Sequence, residues 1–196
     1  ATSNFTLDNG SQAVILAAGT VNGASSITTS GAISQTGALV VTGTSSFSST
    51  GTDTNIDLSN AANNFGGTVT LNTTGTTSGD VSIDNDTNAL TLTGTINGAL
   101  TVLNGGTIAD SATLRVTGTS SFTTDATGAN ITLSSSDLEG AITLSTFATS
   151  NFTLDNGTQA VILAGGTVNG AASITTSGAI SQTGALVVTG TSSFSS

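Results

Sequence analysis

Residues 1–49, ATSNFTLDNGSQAVILAAGTVNGASSITTSGAISQTGALVVTGTSSFSS, recur at 148–196 with 46 of 49 positions identical. The copies differ only at Ser11/Thr158, Ala18/Gly165 and Ser25/Ala172. A shorter period lies within this offset of 147. VTGTSSF occurs at 41–47, 116–122 and 188–194, spaced by 75 and 72 residues. GTVNG at 19–23, GTING at 94–98 and GTVNG at 166–170 repeat those two spacings. The chain therefore reads as one continuous segment, 1–196, holding about two and a half copies of a 72–75-residue unit. Self-similarity at such periods belongs to chains whose like units stack and bury a shared core. Both ends fall inside a unit, so each is expected to be continued by another coil, of the same polypeptide or of another copy stacked end to end.

Inside the unit, apolar residues alternate with Thr, Ser or Asp, as in Phe5-Thr6-Leu7, Val69-Thr70-Leu71, Leu90-Thr91-Leu92 and Ile142-Thr143-Leu144. Period-two alternation of aliphatic and β-branched residues is the pattern of a half-buried strand. Asn9-Gly10, Asn22-Gly23, Gly66-Gly67, Asn97-Gly98, Asn104-Gly105 and Asn156-Gly157 supply turns between these runs, since Asn and Gly tolerate the sharp backbone a turn requires. No stretch carries a 3.6-residue period, so the fold class is all-β. A closed sandwich would leave truncated copies with half-built sheets, whereas a parallel β-helix needs only a neighbouring coil of similar shape. Eight coils per 147-residue period give about 18–19 residues per coil and a rod roughly 50 Å long. Leu7, Leu71, Leu92, Val102, Leu133 and Leu144 are expected inside, with Thr6, Thr70, Thr91, Thr101, Thr132 and Thr143 outside. Phe47, Phe122 and Phe194, at equivalent positions, are expected to stack in that core.

Composition removes whole classes of function. With 11 acidic residues, one Arg and no Lys, the chain lacks the positive footprint of a nucleic-acid binder. Without Cys or His it has no common zinc site, thiol nucleophile or histidine base. The longest aliphatic run, Ala13 to Ala18, is too short for membrane insertion by a helix. Thr and Ser number 41 and 28, yet 36% of residues are hydrophobic, enough to build a core.

TGTSSFTTDATGANITL (117–133), DLSNAANNFGGTVTL (57–71) and NALTLTGTINGALTV (88–102) resemble the repeat region of filamentous-haemagglutinin-type large exoproteins. The resemblance covers the whole chain. It implies a right-handed parallel β-helix, secretion across an outer membrane, a place at the bacterial cell surface, and a role in adhesion or as an extracellular fibre.

Several residues could still carry chemistry. Asp84-Asn85-Asp86-Thr87-Asn88 begins like a calcium loop. It then places Ala89 where glycine is needed and Thr95 where a bidentate Glu belongs, so a polar turn is the expectation. Asp137 with Glu139, or Asp80 with Asp84, could form the paired carboxylates of glycoside hydrolysis. No Lys, His or sugar-stacking Trp or Tyr supports them, and the reading is no enzyme, no catalytic or metal residues and no cofactor. Arg115 replaces Val40 and Val187 of the other copies and by alternation points outward without forming a site. The expected function is structural, the shaft of a surface fibre. The alternative is a binding module recognising glycans, or ice, through a Thr/Ser/Asn face. The ice reading needs one Thr pair in register on every coil, and the Thr-x-Thr pairs fall irregularly along the chain. Intermolecular cross-β stacking suits the same composition, but the long period favours successive coils of one chain.

Overall fold

The computed structural model describes residues 2–75 and 79–196. Among them lie 24 strands and no helix, and the strands pair in parallel. The alternation read from the sequence sets which side chains enter the core. Leu71, Leu92, Val102, Leu133 and Leu144 are buried, while Thr6, Thr101, Thr132 and Thr143 are exposed and Thr70 and Thr91 half-buried. Leu7, in the first coil, is half-buried. One apolar cluster runs from Val14 to Ile174.

Three ladders wrap this core. The first steps through Phe5, Ser25, Ser45, Val69 and Leu92, then from Gly94 to Leu114 and Ser136. The second steps through Val14, Ile33, Ile56, Val81, Leu100, Ser120, Ile142 and Leu163. The third begins with Gly19 and Leu39, passes Asn64, and resumes as Leu90, Ile108, Ile131, Phe152, Ala172 and Ser192. Steps range from 18 residues (Leu90 to Ile108) to 25 (Ile56 to Val81). The fold is thus the expected parallel β-solenoid, but most of its coils are longer than 18–19 residues. The chain makes about nine turns, and at about 4.8 Å per turn the rod is roughly 43 Å long. Turns such as 50–55 lengthen some coils without adding strand, which is why equal division of the period fails.

The repeat does not close on a whole number of turns. From Phe5, six steps along the first ladder reach 136–138, and two further faces lead to Phe152, the copy of Phe5, on the third ladder. Six and two-thirds turns therefore fill 147 residues, and each 72–75-residue unit advances three and one-third. Equivalent residues rotate by about 120° per unit. Phe47 lies on the first ladder, Phe122 on the second and Phe194 on the third. Phe47 and Phe122 are core residues as expected, but they do not stack on one another; Phe47 instead packs edge-on against Phe65 at 5.8 Å. Glycine marks the junctions where one strand serves two ladders. Gly94 has φ 122° and Gly166 φ 129°, and a Cβ there would stand 2.1 Å from Leu71 O and 1.8 Å from Leu144 O. No other residue permits so close a carbonyl.

Candidate functional site

The D-x-D-x-N string begins at the last residue of the strand Val81–Asp84 and continues into a turn. Asp84 is 6% exposed, and its Oδ1 accepts the Asp86 N–H at 2.8 Å. Asn85 is fully buried, and its amide is committed to backbone. Its Oδ1 accepts the Phe65 N–H at 2.6 Å, and its Nδ2 donates to Phe65 O at 3.3 Å and Ala89 O at 3.0 Å. Stacking brings in a carboxylate from two turns further along. Asp125 lines, with Ala61, Asp84, Asp86, Thr87 and Gly105, a shallow cavity of about 120 Å³. Burial holds the Asp84 carboxyl above the ordinary aspartate range; the charges of Asp125 and Asp86 push the same way, and the Asp86 and Asn85 N–H groups pull it back. Among the described residues no group of three or more Asp, Glu, His or Cys is placed to hold a metal ion.

The two carboxylate pairs meet different fates. Asp137 and Glu139 both face Arg115: Asp137 Oδ2 lies 3.2 Å from Arg115 Nε, and Glu139 Oε1 pairs with Arg115 Nη2. Arg115 does point outward, half-exposed, but it clamps one coil to the next. Asp80 and Asp84 sit before and at the end of one strand, separated by roughly 13 Å of extended chain, beyond the reach of a glycosidase pair. Asp80 serves a corner. Its Oδ1 accepts the Ala99 N–H at 2.8 Å, as Asn4 does for Ala24 and Asn151 for Ala171.

Thr and Ser residues that look scattered in the sequence come into register on the surface. Thr6, Ser26, Ser46, Thr70 and Thr93 form one rank on the first ladder, beside Thr28, Ser48, Asn72 and Thr95. On the second ladder the rank is Ser82, Thr101, Ser121 and Thr143, and on the third Thr153, Ser173 and Ser193. Coil length decides this register, so it was invisible along the sequence. The 120° rotation per unit keeps each rank to a few coils before the pattern moves to the next face.

Sequence reasoning missed the buried asparagines. Asn156 repeats the arrangement of Asn85: its Oδ1 accepts the Leu138 N–H at 2.8 Å, and its Nδ2 donates to Leu138 O at 3.0 Å and Ala160 O at 3.2 Å. Each side-chain amide replaces a peptide group where a ladder would otherwise break. The signal was present, since Asn9, Asn85 and Asn156 occupy equivalent places before a turn.

Parallel ladders around one core, with polar groups spent on corners, define a β-solenoid repeat protein. The chain belongs to the family described as repeats of unknown function (DUF5649), whose model matches residues 2–72, 78–145 and 149–196. The matches start 76 and 71 residues apart, the spacing of the structural unit. No curated protein and no solved structure matches. No helix among the described residues is long and apolar enough to cross a membrane.

Proposed function

We propose that the chain is a structural shaft, a repeat segment of a secreted bacterial surface adhesin or extracellular fibre, without a catalytic site. The observation that carries this reading is the single apolar core enclosed by parallel ladders along the whole rod. Such a body transmits force through backbone hydrogen bonds and grows by adding coils, because each coil contacts only its neighbours. The candidate acids support it too, being spent on Arg115, a corner and a turn. The compositional likeness to large exoproteins supports a place outside the cell, and its natural axial partner is another coil. Antibodies against the segment should label intact source cells, and external protease should remove the signal. Labelling only after lysis would overturn the extracellular part. Small-angle scattering from the purified chain should give a rod of roughly 43 Å; a compact sphere would overturn the shaft itself.

The ranks of hydroxyls favour a second reading, a lateral surface for glycans. Glycan-array binding weakened by Ser46→Asp on the first ladder would support it, and no binding to any glycan would remove it.

A further inference from the structure

Seven Asn-X-Ser/Thr triplets, the acceptor pattern for asparagine-linked carbohydrate, begin at Asn4, Asn9, Asn72, Asn85, Asn130, Asn151 and Asn156. A chain this rich in Thr and Ser acquires such triplets by composition alone, so the fold decides which of them can carry a sugar. The five from Asn72 to Asn156 each have a coil on either side.

Two of the five are closed. Asn85 and Asn156 are fully buried. Each spends its Nδ2 hydrogens on two carbonyls, Asn85 on Phe65 O and Ala89 O, Asn156 on Leu138 O and Ala160 O. A sugar on Nδ2 takes the place of one hydrogen. It would break a buried bond and need room that a packed core does not have.

The other three are built the opposite way. Asn72, Asn130 and Asn151 use only Oδ1, which accepts a backbone N–H of the next coil: Thr95 at 3.1 Å, Asn151 at 2.8 Å and Ala171 at 2.7 Å. Those donors fix which amide atom is the oxygen, and Nδ2 makes no hydrogen bond to the described residues. Asn151 is exposed, Asn72 and Asn130 are half-buried, and the hydroxyl residues two places on, Thr74, Thr132 and Thr153, are all exposed. A glycosylated asparagine keeps its carbonyl oxygen and one N–H. The tie between coils therefore survives modification at these three positions.

Resting on the extracellular part of the shaft reading, we propose that Asn72, Asn130 and Asn151 are attachment sites for N-linked carbohydrate and that Asn85 and Asn156 are not. The sugar arrives as a glycosyl diphosphate on a nucleotide or lipid carrier, transferred by a glycosyltransferase. The Nδ2–C1 bond forms, the C1–O bond to phosphate breaks, the diphosphate leaves with the electron pair and Nδ2 gives up one proton. On a rod with only 6% charged residues, carbohydrate supplies a hydrated coat that charge does not.

Peptide mass spectrometry of the chain isolated from its source cells tests this, with a protease of broad specificity because the chain has one Arg and no Lys. Sugar mass is expected on Asn72, Asn130 and Asn151 and should persist through denaturation. A single sugar, as from a nucleotide carrier, or a preassembled chain, as from a lipid carrier, would each support the sites. Thr74→Ala, Thr132→Ala and Thr153→Ala should each abolish modification of their own asparagine, and Thr132→Ser should retain it. Interior amide protection in hydrogen exchange verifies that these surface variants are folded. Sugar on Asn85 or Asn156 of the folded rod would overturn the assignment. So would carbohydrate that denaturation removes, since it is bound and not attached. Bare Asn72, Asn130 and Asn151 in a chain that antibodies label on intact cells would overturn the sites and leave the shaft standing. A bare chain labelled only after lysis would overturn both.

Discussion

Ser120, Arg115 and Asp84 each have a measurable consequence for stability. Ser120 points into the core with no partner for its Oγ, as does its equivalent Ser45. An unpaired buried hydroxyl costs free energy that an apolar replacement avoids, and the chain already carries Ala172 where the first copy has Ser25. Ser120→Ala should therefore stabilise the fold by about 1 kcal/mol in urea melts. Arg115→Val restores the residue of the other copies but strands Asp137 and Glu139. On a half-exposed side chain the loss should stay below about 1 kcal/mol and shrink as salt is added. Asp84 acts through pH. Its carboxyl titrates above the ordinary range because it is buried, so the folded chain holds the proton more tightly than the unfolded chain. Between the ordinary and the raised value, stability falls as pH rises. Ionised Asp84 is a penalty at neutral pH that acidification through the raised value relieves. Asp84→Asn should raise stability at neutral pH and reduce the gain on acidification; an unchanged pH profile would refute this assignment.

At the scale of strands and turns, the asparagine amides hold the ladders together where backbone pairing lapses. Asn85→Ala would leave the buried Phe65 N–H without its acceptor and the turn at Ala89 without its tie. The expected cost is about 2–4 kcal/mol, with the Phe65 amide losing hydrogen-exchange protection before its neighbours. A uniform loss of protection would show that Asn85 does not act locally. Strand positions were legible in the sequence because alternation depends only on neighbouring residues, and so Leu71, Leu92 and Leu144 could be placed inside. Coil length was not legible, because turns such as 50–55 obey no spacing rule. Everything that depends on stacking across coils was lost with it. Asp125 could not be brought near Asp84, the hydroxyls could not be put in register, and Phe47 could not be separated from Phe122.

For the whole rod, the decisive number is the three and one-third turns in each unit. Had the units closed on whole turns, one face would repeat along the rod, as a flat crystalline ligand such as ice requires. The extra third of a turn gives the three faces the same chemistry in rotation, which suits a shaft surrounded on all sides. Ser46, Ser121 and Ser193 are equivalent, outward-pointing and one to a ladder. The chain contains no cysteine, so each can be replaced by Cys and spin-labelled without competing thiols. One unit climbs roughly 16 Å. On a single face, the Ser46→Cys/Ser193→Cys distance would be about twice that of Ser46→Cys/Ser121→Cys. With 120° between successive units, the same lateral offset enters both distances while only the climb doubles, so their ratio must fall clearly below two. Pulsed electron spin resonance on the two double variants measures that ratio directly. A value of two would place all three serines on one face and refute the rotation.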